Sequence, residues 1–134
     1  MNNLTNANIE HWNMLSYDSR NILVATKLFK WPKEAIFFST DRFLGTNQEG
    51  RLCTVPNFLG TKPLNPEYNI LDKLQKELAK IGGILYSQID SSDDMYKVTF
   101  IVKLEKMRVC LTVTGTDLTE LVCYLGTYVG RFYL

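Results

Sequence analysis

The apolar positions of this chain change period along its length, and those changes mark its elements. Residues 2–13 carry only scattered apolar anchors, Leu4, Ile9 and Trp12. The stretch 1–17 therefore reads as an N-terminal arm, a short helix or a disordered lead-in. From residue 18 the pattern tightens. Asp18 or Ser19 can accept hydrogen bonds from a first helical turn, and Ile22, Leu23, Leu28 and Phe29 fall near one face. Pro32 disfavours helical geometry at Trp31, so this helix should stop there. Residues 35–64 are irregular. An Ala35-Ile36-Phe37-Phe38 run, a polar Thr46-Asn47-Gln48-Glu49-Gly50 stretch and a Leu52-Cys53-Thr54-Val55 run read most simply as a hairpin of two short strands.

The second half is more regular. Asn65-Pro66 should open a helix, with asparagine as cap and proline at the first position. Its apolar stripe is Ile70, Leu71, Leu74, Leu78 and Ile81, and Gly82-Gly83 ends it. Residues 84–89 suit a strand, and Ser91-Ser92-Asp93-Asp94 suits a turn. Tyr96, Val98, Phe100, Val102 and Leu104 then alternate with polar neighbours, as do Met107, Val109, Leu111 and Val113 after a Glu105-Lys106 connection. This is a three-stranded antiparallel meander that Gly115 breaks. Asp117 and Glu120 have capping-box spacing, and Leu118, Leu121, Val122 and Leu125 predict a last helix from about residue 118 to 124. The sum is α–β–β–α–β–β–β–α, an antiparallel sheet covered by helices, of the α+β class.

Composition bounds what such a fold can be. The chain has 134 residues, 15.4 kDa and 46% hydrophobic residues, enough for one domain with a sizeable core. Lys+Arg number 15 and Asp+Glu 14, with neither half basic, which argues against a surface for long nucleic acid. No apolar run approaches membrane-spanning length, and residues 1–12 lack the basic start and apolar core of a secretion signal, so a cytoplasmic protein is expected. The three cysteines, Cys53, Cys110 and Cys123, have no metal-ligand spacing and are expected as reduced thiols.

Candidate chemistry is sparse. The single histidine, His11, has no partner that the sequence can place, and no P-loop, nucleophile-elbow or zinc-protease motif is present. The chain is thus expected not to be an enzyme and to carry no metal and no cofactor. Asp90, Asp93 and Asp94 read as a solvated turn, not a calcium loop. The irregular middle, rich in Gly and Pro, is where binding groups are expected. Arg42, Arg51 and Asn57 flanked by Phe43, Leu52 and Phe58 combine charge for a phosphate with an apolar face for a base, and Trp31 and Tyr68 add aromatic surface. The junction Thr114-Gly115-Thr116-Asp117 is a further candidate anion site at a helix start, although Asp117 is expected to cap that helix itself.

Leu23-Val24-Ala25-Thr26-Lys27-Leu28-Phe29-Lys30-Trp31 resembles the "LVAEKVMGW" helix of small phage and prophage proteins grouped as the phage ABA sandwich domain. Tyr68-Asn69-Ile70-Leu71-Asp72-Lys73-Leu74 is similar to that family's second helix, without the "STD" that precedes it there. Glu120-Leu121-Val122-Cys123-Tyr124-Leu125 is similar to its last helix, so the likeness spans residues 18–126. The resemblance implies a phage origin and an α-β-α sandwich, and the family has no general assigned activity. By analogy with other compact phage proteins, the leading expectation is a homo-oligomeric sponge that sequesters a nucleotide-derived signal of host immunity. The alternative is a protein-binding inhibitor of a host defence enzyme, using the apolar C-terminal residues 128–134 as its patch.

Overall fold

The computed structural model describes the backbone of Asn2–Asn6 and residues 9–60 and 69–134 in full. The expected hairpin order of the second half is present: strands β5 (Ile84–Ser92), β6 (Met95–Leu104) and β7 (Met107–Gly115) form the antiparallel meander. Two-residue turns join them. Asp93 and Asp94 have φ of 49° and 63°, the left-handed pair that matches the twist of a tight hairpin and that aspartate tolerates. Val98, Phe100 and Val102 on β6 face Val113, Leu111 and Val109 on β7, and all six are buried.

Strand β1 (Asn2–Asn6) adds to the free edge of β7 in parallel, so the sheet order is β1-β7-β6-β5. Short helix α1 (Glu10–Met14) follows it and buries Trp12 at 3% exposure. Residues 1–17 are therefore not an arm over their described part. Strand pairing is made by backbone groups, which the side-chain pattern of an asparagine-rich segment does not report.

Helix α2 (Tyr17–Leu23) is capped by Ser16, whose hydroxyl accepts from the Ser19 N–H at 3.1 Å, in place of the expected Asp18 or Ser19. It runs into a π-helical turn, Val24–Leu28, and ends at Lys30 with φ of 61°, ahead of Pro32 as expected. The wide turn rotates the buried stripe. Val24, Ala25 and Leu28 are fully buried, while Ile22 and Leu23 are only half-buried.

The middle holds three strands, not two: β2 (Phe37–Ser39), β3 (Arg42–Thr46) and β4 (Leu52–Thr54), an antiparallel sheet in that order. The additional strand β3 is Arg-Phe-Leu-Gly-Thr, too mixed to show a period. A Cβ at Gly45 would lie 3.0 Å from Ile36 and 3.3 Å from Trp31, so the missing side chain lets this sheet close on the core.

Helix α3 (Ile70–Lys80) begins later than expected, with Asn69 accepting from the Asp72 N–H at 3.0 Å; the Asn65-Pro66 start and Tyr68 lie outside the described residues. Ile70, Leu74 and Leu78 are buried, but Ile81, expected in the stripe, is 54% exposed beyond the last turn. Helix α4 (Leu118–Phe132) runs well past the expected end near residue 124. Gly126 and Gly130 look like breakers in sequence and are contact points in space. A Cβ at Gly126 would sit 2.5 Å from Ile70, and one at Gly130 would sit 2.5 Å from the Lys27 carbonyl oxygen. The glycines let α4 press against α3 and the π-helical turn.

Class and element order are those of an α+β fold. Helices α3 and α4 cover one face of the large sheet, and α2 with its π-helical turn packs on α4, not on the sheet's other face. The sandwich expected from the resemblance thus has its helical layers on the same side. The outer face mixes Lys97, Lys103, Arg108, Thr99 and Thr112 with Ile84, Tyr86, Ile101 and Cys110, and Ile84 and Tyr86 are exposed there.

Candidate functional site

The residues singled out in the sequence do not converge. Arg42, Phe43 and Asn57 line one cleft of about 240 Å³ with Tyr17, Asp18 and Asp41. There Arg42 pairs with Asp41 at 3.2 Å on the surface, and a second carboxylate, Asp18, leaves the lining net negative. Asn57 is a structural tether, not a ligand group. Its Oδ1 accepts from the Tyr17 hydroxyl at 2.6 Å, the Gly60 N–H at 3.2 Å and the Asn21 amide at 3.3 Å. Asn21, itself buried, accepts from the Leu59 N–H.

Trp31 and Arg51 line a separate cleft of about 390 Å³ around the β3–β4 turn, where Glu49 accompanies Arg51. Trp31 is 5% exposed and Phe58 1%. Phe58 stacks on Phe29 with ring centroids 5.1 Å apart. Phe58 offers no ring face for stacking a base, which corrects its assignment, and Trp31 borders its cleft while almost fully buried. Aromatic residues beside apolar runs are mostly consumed by the core.

The Thr114-Gly115-Thr116 junction is occupied by the chain itself. Asp117 accepts from the Glu120 N–H at 3.2 Å, so its carboxylate already stands where an anion would bind. The capping box is half made. The Glu120 carboxylate turns away to accept from Trp12 Nε1 at 2.8 Å and from Arg20 at 2.5 Å.

That use of Glu120 builds a cleft that the sequence did not suggest. It ties α1 and α2 to the start of α4, and between them opens a half-enclosed cleft of about 160 Å³. Helix α1 contributes His11 and Trp12, α2 contributes Leu23, and the π-helical turn contributes Lys27. Helix α4 contributes Tyr124, Thr127, Tyr128, Arg131 and Phe132. Spacing of four places Tyr124, Tyr128 and Phe132 on one face of α4. Their rings meet edge-on or tilted: Trp12–Tyr124 at 5.6 Å, Tyr124–Tyr128 at 6.4 Å and Tyr128–Phe132 at 4.7 Å.

The electrostatics are one-sided. Among the described residues no carboxylate lines this cleft. His11, Lys27 and Arg131 make no ion pair among the described residues. Arg131 lies over the Phe132 ring at 5.1 Å. Lys30, whose ammonium donates to the Gly130 carbonyl at 2.9 Å, is held below the usual lysine range by desolvation and then by the charge of Lys27. Burial also raises the Tyr124 hydroxyl above the ordinary tyrosine range, with Tyr128 adding to it.

Thr127 is 6% exposed and its hydroxyl has no partner among the described residues. Thr26, also helical, donates back to the Ile22 carbonyl at 2.9 Å. An unpaired buried hydroxyl costs about 1–3 kcal/mol. The sequence signal for the cleft was present as the Tyr124, Tyr128, Phe132 spacing, hidden by ending α4 too early.

Cys123 lies behind this wall. Burial pushes its thiol up to about 12, with Glu120 and Asp117 adding to the shift, so it is protonated at neutral pH and is not a nucleophile. Cys53 and His11 line different clefts. Among the described residues no group of His, Cys, Asp and Glu could hold a metal ion, and no helix is long and apolar enough to cross a membrane. Comparison with protein-family models, curated proteins and solved structures finds no match for this chain.

Proposed function

We propose that this protein is a non-enzymatic binding protein that captures a small nucleotide-derived molecule in the cleft between α1 and α4. The observation that carries the reading is the lining, with four aromatic rings and three basic side chains and no carboxylate. Such a lining attracts phosphate and offers ring surface to a base. In the phage setting that the sequence resemblance implies, binding without turnover would withdraw a host immune signal from its receptor in the cytoplasm. Homo-oligomer formation belongs to the same proposal.

The test is a thermal-shift screen against nucleotides and cyclic nucleotides, followed by denaturation and analysis of what is released. A ligand at 100 times its dissociation constant stabilises the fold by about 2.7 kcal/mol. Release of the intact molecule is the expected result, and a cleaved product would make the protein an enzyme.

A second reading, inhibition of a defence enzyme by direct binding, draws on the small sheet. Phe37, Phe38 and Leu52 are exposed there, at 47%, 60% and 64%. The C-terminal residues expected to supply that patch mostly do not. Val129 is buried, and Tyr128, Tyr133 and Leu134 pack on the chain's own core. Co-elution with a host protein on size exclusion, with no small molecule released, would favour this reading.

A further inference from the structure

We infer that the α1–α4 cleft admits one planar ring and holds the ligand's anionic group at its mouth, on Lys27 and Arg131. The inference rests on the reading of this cleft as a capture site and adds the class of molecule it selects. The volume sets the limit. A space of about 160 Å³ compares with the cavity of about 150 Å³ that takes up a benzene, and falls below the roughly 300 Å³ of pockets that enclose a whole drug-sized ligand. One ring enters, and a sugar, a phosphate or a second base stays outside.

The lining orders the two ends. Tyr124 and Tyr128 form the apolar wall together with Trp12, which is 3% exposed and so bounds the ring space without offering an open face; Trp12 and Tyr124 meet edge-on, and Tyr124 and Tyr128 tilted. Lys27 and Arg131 are free of carboxylates among the described residues. Arg131 rests over Phe132, which is 57% exposed, and a guanidinium seated on a ring keeps its N–H edge for a phosphate. Long dinucleotides therefore gain nothing over mononucleotides, and a phosphate without a ring binds poorly.

The two tryptophans give a direct readout, since Trp12 lines this cleft and Trp31 lines the one beside Arg51. The full chain is titrated with the nucleoside monophosphates, phenyl phosphate, ribose 5-phosphate and a 5′-phosphorylated dinucleotide, following affinity by calorimetry and the two indole N–H signals by NMR. At least one monophosphate and phenyl phosphate should bind and move Trp12 alone. Ribose 5-phosphate should bind at least tenfold more weakly, and the dinucleotide within threefold of its monophosphate. Lys27→Ala with Arg131→Ala, and separately Leu23→Trp to fill the ring space, should each weaken binding at least tenfold. The indole readout on the wild-type chain stands if a variant does not fold.

Ribose 5-phosphate binding as tightly as the monophosphates overturns the inference and leaves capture in this cleft intact, whereas movement of Trp31 alone puts capture in the other cleft and overturns both the inference and the site proposed for capture. Binding of phenyl phosphate with no nucleotide bound overturns the nucleotide reading and leaves the ring-and-anion selection standing. No binding by any probe overturns both.

Discussion

Two regions of this molecule carry the same ingredients, basic side chains beside aromatic rings, and only one gathers them in a cleft with no carboxylate among its described lining residues. In the middle segment Arg42 has Asp41 beside it and shares its cleft with Asp18, while Arg51 shares its cleft with Glu49. Of the aromatic groups there, Trp31 and Phe58 belong to the core, while Phe37 and Phe38 are exposed on the small sheet. Between α1 and α4 the Glu120 carboxylate is paired with Arg20 and holds Trp12, and Lys27 and Arg131 make no ion pair among the described residues. What separates the two regions here is where the carboxylates go.

The comparison breaks most severely at Gly130, where a Cβ meets the backbone of the π-helical turn. Gly130→Ala should cost about 3 kcal/mol by overpacking, read as a lower midpoint in urea, and should lose the cleft with the helix contact. Next, Glu120→Ala removes one acceptor from two donors and should cost about 2 kcal/mol, with a weaker response to any ligand that moves Trp12. A smaller effect follows from Cys123. Its folded-state thiol, pushed up to about 12 from an ordinary 9.0, binds its proton more tightly than the unfolded chain does. The stabilisation is therefore complete below pH 9 and is lost as pH rises toward 12. At pH 10 the loss relative to pH 8 should be about 1.4 kcal/mol, measured as the difference in pH dependence between wild type and Cys123→Ala. The smallest effect is expected in the middle segment. Arg42→Ala breaks a surface pair and should change stability by no more than about 0.5 kcal/mol. A larger change in denaturant midpoint would show that the middle segment is more tightly built than its exposure suggests.

The meander β5–β7 was legible because strict alternation has one solution, a sheet with one buried face, and Val98, Phe100 and Val102 take it. The stripe of α3 was legible from Ile70 to Leu78 for the same reason. Less legible were features made by backbone atoms or by contact. Strand β1 pairs through its main chain, and the π-helical turn shifts a register that side-chain spacing assumes constant. The extension of α4 past Gly126 depends on what lies against that glycine. Of the candidate residues, Arg42 and Phe43 were placed together with Asn57, but in a cleft where two carboxylates outnumber the one arginine. Trp31 and Phe58 are aromatic in either environment, and the sequence does not say which one they occupy.

By itself, the order of residues determined the α+β class, the antiparallel meander and the two amphipathic helices, since periodicity fixes which side chains share a face, and burying that face drives the fold. Only the tertiary structure decided the cleft. Whether a lysine is paired or free, and whether a tyrosine is core or wall, depends on neighbours some hundred positions away, such as Glu120 for Trp12 and Gly130 for Lys27. Those separations are set by packing geometry, which local spacing does not encode.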